Sequence, residues 1–162
     1  MNGFRVKMLA GFLATTGMIG GALFFQYYLE LEPCPLCILQ RIVVLALALV
    51  FLAGLLHGPS GWGRKIYFAL VGLVSLVGVG VSGRHVWLQH QPPSLVPECG
   101  PGLQYWLDTL PPWKVVQKMF HGAGDCAEVV FRFLGLSIPE WTLIAFAGLF
   151  LYSVFLFLLR PD

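Results

Sequence analysis

The chain has 162 residues, of which 57% are hydrophobic and only 11% are charged, and its mean hydropathy is +0.78. Ten basic and eight acidic residues are too few to coat a water-soluble globule of this length. This composition excludes an ordinary soluble domain, and the net charge of +2 gives no sign of nucleic-acid binding.

Four stretches of the chain are long and apolar enough to cross a membrane, which takes about 20 residues of helix. They cover residues 8–29, 38–56, 66–88 and 141–159. The first follows Arg5 and Lys7, as in a signal peptide, but its apolar run is too long and lacks a clear cleavage site. We therefore predict an all-α membrane protein, a four-transmembrane-helix bundle that forms a single domain over residues 1–162.

The charges predict the orientation of this bundle. With four spans, five basic residues fall on one side: Arg5, Lys7, Arg64, Lys65 and Arg160. Seven of the eight acidic residues fall on the other side. Because basic residues concentrate in cytoplasmic segments, we expect both termini to be cytoplasmic.

The outer side then carries a short loop before residue 38 and a long loop over residues 89–140. Within the long loop, apolar and polar residues between Trp113 and Phe120 have the spacing of a short amphipathic helix. Such a helix lies on the membrane surface or plugs the bundle. Two pairs of small residues, Gly17 with Gly21 and Gly78 with Ser82, either permit close helix packing or reflect the high frequency of glycine in spans.

All four cysteines fall on this outer side, which is the oxidising side in bacteria. Cys34 and Cys37 lie in the short loop, and Cys99 and Cys126 lie in the long loop. Four cysteines suit redox pairs, structural disulfides or a zinc site. The second pair is not a CxxC motif, so we predict no metal site, and structural disulfides remain the stronger alternative to redox chemistry.

The segment from Cys34 to Arg41 favours the redox interpretation. Pro35 suits the first turn of a helix, where the positive end of the helix dipole favours a cysteine thiolate. Arg41 lies one turn beyond Cys37 on the same face. An arginine inside a span is costly unless it has a function or extends to the headgroups. Here it is placed to stabilise a thiolate or to bind a carbonyl oxygen of an electron-accepting ring.

The electron acceptor is not visible as a soluble-cofactor motif. Ile38 follows the CxxC, which excludes the CxxCH haem signature, and no GxGxxG dinucleotide motif is present. A lipid-soluble quinone needs neither motif. His85, near the outer end of the third span, becomes a candidate hydrogen-bond donor or proton relay to such an acceptor, although a lone histidine there is more often merely interfacial.

The combination resembles the bacterial DsbB family, the membrane quinone reductases that reoxidise the periplasmic dithiol oxidase DsbA. The resemblance rests on four spans, the CPLCILQR segment at residues 34–41, the RHVWLQ segment at residues 84–89 and two isolated cysteines in the long loop. It implies a protein-dithiol:quinone oxidoreductase of the bacterial inner membrane, with ubiquinone or menaquinone as acceptor and a DsbA-type thioredoxin-fold protein as partner.

The resemblance also implies a role for each cysteine. Cys99 would be attacked by the thiolate of the partner, and Cys126 would be its disulfide mate. Cys34 would form the transient disulfide between the loops, which leaves Cys37 as a thiolate facing the quinone.

By the same resemblance, Arg41 and His85 would position the quinone ring and stabilise its charge. Two other interpretations of the sequence remain open. An enzyme of the vitamin K epoxide reductase type also combines four helices with thiols, but its CxxC lies near the final span, where this chain has no cysteine. A non-catalytic four-span scaffold would hold its outer loops with structural disulfides and would give no reason for Arg41.

Overall fold

The computed structural model describes residues 3–92, 103–122 and 124–158. Over these residues it is helical apart from one short hairpin, and its elements in chain order are α1 (Gly3–Tyr27), α2 (Pro35–His57), α3 (Trp62–Gln89), α4 (Leu103–Thr109), α5 (Pro112–His121), a 3₁₀ turn (Gly124–Cys126), β1 (Arg132–Phe133), β2 (Leu136–Ser137) and α6 (Ile138–Leu158). Helices α1, α2, α3 and α6 are long and apolar enough to cross a membrane. The predicted bundle of four long apolar helices is therefore confirmed.

The four long helices pack through small residues and aromatic rings. Helix α2 contacts both α1 and α3, and α3 runs along α6. A side chain added at Gly78 of α3 would overlap the ring of Phe146 of α6, so glycine there permits the close contact. Gly17 and Gly21 have no described atom in reach of an added Cβ. The small-residue pair therefore serves packing in the third span but not in the first.

Three basic residues, Arg5, Arg64 and Lys65, lie near the α2–α3 turn at one end of the bundle. Helix α2 ends at Gly58, which adopts the left-handed conformation (φ 55°) and returns its N–H to the carbonyl of Gly54. The Arg5 guanidinium lies against Gly58, which places the start of α1 beside the α2–α3 turn. Arg64 and Lys65 follow that turn. The CxxC cysteines lie at the opposite end of α2.

The long outer loop folds over that opposite end as two short helices and a hairpin. Helix α5 confirms the predicted short helix: Val115 and Met119 are buried, whereas the polar Lys114, Gln117 and Lys118 are exposed, as is the apolar Trp113. The buried face packs with Trp106 of α4 and with Leu39 of α2, so this part of the helix covers the bundle. Helix α4 and the hairpin were not predicted.

The last long helix begins at Ile138, three residues before the predicted start at Trp141. A Glu140 carboxylate oxygen accepts the backbone N–H of Ser137 at 2.6 Å and so caps the first turn. The hairpin before it turns at Leu134 and Gly135, both with positive φ. The proline and glutamate of this first turn lower its hydropathy, so the apolar stretch begins after the helix has started.

Candidate functional site

The CxxC motif forms the start of α2. Cys34 caps the helix, and its Sγ accepts the backbone N–H of Cys37 at 3.3 Å. Pro35 occupies the first turn, where its missing N–H costs nothing. The Cys34 thiol donates to Cys37 Sγ at 3.0 Å. The two sulfurs are thus adjacent at the positive end of a helix, where thiolates are stabilised.

The long loop brings a third cysteine to this pair. Cys126 ends the 3₁₀ turn, is fully buried and packs with Cys34 in a cluster that also holds Leu36 and Leu88. It forms a hydrogen bond with the Cys34 thiol. Cysteines from the two outer loops are therefore in contact. Cys99, the fourth predicted cysteine, lies outside the described residues.

The hydrogen bonds around Cys34 set its protonation. The hydrogen bond with Cys126 lowers the pKa of the Cys34 thiol, but its hydrogen bond to Cys37 and its burial raise it more, to about 12 from an ordinary 9.0. In the dithiol form, Cys34 consequently keeps its proton at neutral pH and acts as a donor to its neighbour.

His85 of α3 lies against the same thiol. Its side chain is 2% exposed, and its Nε2 is 3.7 Å from Cys34 Sγ. Its Nδ1 is 3.1 Å from the Gln40 amide nitrogen, while the Gln40 amide oxygen accepts the Thr142 hydroxyl at 3.0 Å. In this arrangement Gln40 donates to Nδ1, so the ring proton lies on Nε2, on the side of Cys34. The buried histidine is thus oriented by residues of two other helices.

Arg41 extends towards α1 rather than to the headgroups. Its guanidinium donates to the side-chain oxygen of Gln26 and, at 3.1 Å, to the carbonyl of Ala22. These bonds satisfy part of a group that carries five N–H donors. Among the described residues, the other guanidinium donors of Arg41 have no hydrogen-bond partner, and the two bonds to α1 hold the side chain in one place.

A cavity of about 590 Å³ joins these side chains. Cys34, Cys37, Arg41 and His85 all contribute to its wall. The rest of the wall is mainly apolar, and it includes three acidic residues: Glu30, Glu32 and Glu128. A second cavity, of about 470 Å³, lies between α2 and α3 near His57 and is lined by none of the candidate residues.

The side chains that hold Arg41 and His85 in place were not predicted: Gln26, Gln40 and Thr142. Gln40 interrupts an apolar span in the sequence, and that interruption was the available signal. A buried amide in a span must be hydrogen-bonded, so its presence indicates a polar partner on a facing helix. The identity of that partner depends on contacts between residues 45 and 102 positions apart.

Comparison with known proteins agrees with the geometry. The family model "Disulfide bond formation protein DsbB" matches residues 4–156. A disulfide bond formation protein B from Methylococcus capsulatus is 51% identical over 150 residues, which cover 93% of this chain and 92% of the relative. Proteins of the same name from Nitrosococcus oceani and Chromohalobacter salexigens are 50% and 51% identical, over 93% and 91% of this chain and 89% and 86% of their own lengths.

Proposed function

The chain belongs to the DsbB family of thiol:quinone oxidoreductases, and we propose that it reoxidises a periplasmic DsbA-type thioredoxin-fold protein and passes the electrons to ubiquinone or menaquinone. Family membership sets aside the scaffold and the vitamin K epoxide reductase type. The cysteines and the cavity beside them are the features of this chain that support the proposal.

One observation carries the proposed electron path: Cys34 contacts Cys126 and Cys37, and the CxxC pair lines the cavity. Thiol–disulfide exchange requires the attacking sulfur to reach the sulfur under attack. The contact between Cys126 and Cys34 supplies this approach between the two loops. The contact between Cys34 and Cys37 then connects the exchange to the cavity.

The proposed exchange proceeds in three steps. A thiolate of the partner attacks Cys99 of a Cys99–Cys126 disulfide, and Cys126 leaves as a thiolate. Cys126 attacks Cys34 of a Cys34–Cys37 disulfide, which breaks that bond and leaves Cys37 as a thiolate. The second thiol of the partner then resolves the mixed disulfide at Cys99, so the partner leaves oxidised and two electrons remain on this chain.

The cavity beside Cys37 fits a quinone headgroup in its chemistry. Apolar side chains such as Phe25 and Val44 suit a ring, the Arg41 guanidinium suits a carbonyl oxygen, and His85, whose one N–H faces Cys34, lines the same cavity. A bound quinone accepts two electrons and two protons, the same numbers that are released when one dithiol is oxidised to a disulfide. Gln26 holds the Arg41 guanidinium in place, so the charge is ready before electron transfer.

His85 and Gln40 act on the proton of Cys34. Cys34 is released as a thiolate when Cys99 attacks Cys126 of the Cys34–Cys126 disulfide, and it must stay deprotonated to re-form the bond to Cys37, which its environment resists. A donor at His85 Nε2 stabilises the negative charge that develops on Cys34 Sγ. Gln40 is a positioning residue, because it fixes the ring so that Nε2 faces the sulfur.

The four long apolar helices place the chain in a membrane, and the DsbB family is an inner-membrane family. We propose that both termini are cytoplasmic and that the thiols face the periplasm, in a single membrane domain. The contact of Arg5 with the α2–α3 turn supports this orientation, because it gathers basic residues at the end of α2 opposite the CxxC.

Quinone absorbance tests the proposal directly. The purified protein in detergent receives quinone and a reduced thioredoxin-fold dithiol partner, and we expect loss of the oxidised quinone signal in proportion to the partner oxidised. Cys37→Ser should abolish this loss, because Cys126 then has no Cys34–Cys37 disulfide to attack and no Cys37 thiolate is formed. Retained turnover by folded Cys37→Ser would overturn the role assigned to Cys37. As a control, the assay is repeated with the oxidised partner, which has no electrons to donate and should leave the quinone signal unchanged.

A further inference from the structure

We propose that the dithiol form of this site binds one soft divalent cation, of the Zn²⁺ class, through Cys34, Cys37 and His85, and that the ion blocks electron transfer. The binding itself follows from the ligand geometry alone. The inhibitory consequence rests on the proposed function, because it requires that these thiols carry the electrons.

The ligand atoms already lie close to a metal-binding arrangement. One atom from each of the three residues falls within 4.8 Å of the others. Tetrahedral zinc, with Zn–S of about 2.3 Å and Zn–N of about 2.0 Å, separates two sulfurs by about 3.8 Å and a sulfur from a nitrogen by about 3.6 Å. The Cys34–His85 distance is 3.7 Å, and the Cys34–Cys37 distance is 3.0 Å. A rotation that separates the two sulfurs by about 0.8 Å brings this pair to the zinc spacing, and the Cys37 and His85 ligand atoms lie within 4.8 Å of each other.

The charges of the three ligands also fit a divalent cation. Two thiolates and one neutral imidazole carry two negative charges, which a divalent cation neutralises in a buried site. The backbone N–H of Cys37 donates to Cys34 Sγ at 3.3 Å, and the cation supplies the further positive charge that a Cys34 thiolate needs in this environment. A water in the adjoining cavity supplies the fourth position, so the ligand set keeps two thiolates.

The partners of His85 allow the ring to present a lone pair. A metal on Nε2 moves the ring proton to Nδ1, so Gln40 must present its oxygen there instead of its nitrogen. The Thr142 hydroxyl can accept from the reversed amide, because its own hydrogen has a second acceptor in the carbonyl of Pro139 at 2.9 Å. The hydrogen bonds that link His85, Gln40 and Thr142 can therefore be formed both with and without the metal.

The cavity gives a cation a route to these ligands. Glu30, Glu32 and Glu128 are exposed and line the same cavity as the thiols. Carboxylates at the entrance to a cleft raise the local concentration of cations. The same cavity is the proposed quinone site, so an ion held at Cys37 removes the thiolate from the electron path.

The binding step is balanced without any change of oxidation state. Two thiols lose two protons to solvent, and two metal–sulfur bonds form. A Cys34–Cys37 disulfide offers no thiolate, so the oxidised protein has no such site. Inhibition should therefore be found in the dithiol form and should be reversed by a chelator.

Cobalt is the probe, because thiolate-to-cobalt charge transfer absorbs in the near ultraviolet. The purified protein in detergent is reduced, freed of reductant and titrated with Co²⁺ in the absence of partner and quinone. We expect one ion per chain, a thiolate band, competition by Zn²⁺ and release of two protons. His85→Ala should weaken binding at least about tenfold. His90→Ala, which removes an exposed histidine five positions away, is the matched control and should bind like the wild type.

Equal binding by the oxidised and reduced proteins, or by His85→Ala and His90→Ala, would overturn the proposal. Cys37→Ser provides a second variant that creates no cavity, and it should lose one thiolate from the band. Quinone reduction is measured separately with and without Zn²⁺. If Cys37→Ser retains turnover, the proposed electron path fails while the cobalt titration still decides the metal site. If Zn²⁺ binds the active wild type but does not slow it, the inhibitory claim fails.

Discussion

Replacing Gly122 with alanine should detach Cys126 from Cys34. Gly122 has φ 81° and ψ 163°, a conformation available essentially to glycine alone, and strain there costs about 1–3 kcal/mol. An added Cβ would lie 2.5 Å from Leu88 Cδ1 and 3.3 Å from Leu36 Cδ1, both fully buried side chains. Such overpacking costs about 1–3 kcal/mol more. The segment relieves both costs by moving away from α2 and α3.

The consequence for exchange depends on the population of the docked loop. Even a cost of about 2 kcal/mol shifts the docked equilibrium about 30-fold. The assay traps the Cys34–Cys126 disulfide after addition of the reduced partner and quantifies it by mass spectrometry. We expect Gly122→Ala to form it at least about tenfold more slowly than the wild type, with a matching loss of quinone reduction.

Gly135→Ala is the matched control. Gly135 also has positive φ, at 84°, but no described atom lies within 4 Å of an added Cβ. It also lies in the hairpin turn and outside the Cys126 contact. The control therefore carries backbone strain without the clash. If the two variants exchanged at the same rate, the packing of Gly122 would have no part in holding Cys126.

Three further predictions concern the polar side chains. Gln26→Leu should release the Arg41 guanidinium and raise the KM for quinone about tenfold with a smaller effect on kcat; an unchanged KM would separate Gln26 from quinone use. Gln40→Leu should leave His85 unoriented, slow turnover about 10–100-fold and shift its pH profile, whereas a stability loss with a normal profile would assign Gln40 to packing alone. Because the pKa of Cys34 is raised to about 12, its alkylation in the reduced protein should keep rising from pH 9 to pH 12, and a plateau by pH 10 would contradict this protonation.

Hydropathy was sufficient to predict the four long helices because each buries its backbone polar groups internally and presents apolar side chains to lipid. It was less informative in the outer loop. Helix α4 has seven residues, too few for a clear period, and each hairpin strand has two. Helix α6 likewise begins before the apolar stretch at residues 141–159, since Glu140 caps its first turn.

The site itself was predictable where its chemistry is local and unpredictable where it depends on packing. Cys34, Cys37 and Arg41 occupy two turns of one helix, so their proximity follows from helical geometry. The contact of Cys126 with Cys34 was implied by resemblance, because nothing in a single sequence reveals which side chains meet across 92 positions. The glutamine partners of Arg41 and His85 were missed for the same reason.

These missed glutamines explain how the chain keeps an arginine and a histidine inside an apolar bundle. A buried polar group without a partner costs about 1–3 kcal/mol, and a polar group in the hydrocarbon region has no water with which to form a hydrogen bond. Gln26 and Gln40 supply these partners from inside the spans, and Thr142 satisfies the far end of Gln40. The Gln26 amide carries no charge, so it orients Arg41 without neutralising it, whereas a carboxylate there would cancel the positive potential that a thiolate or a reduced ring requires. A carboxylate at Gln40 could not donate to Nδ1 and would place the ring proton on the side away from Cys34.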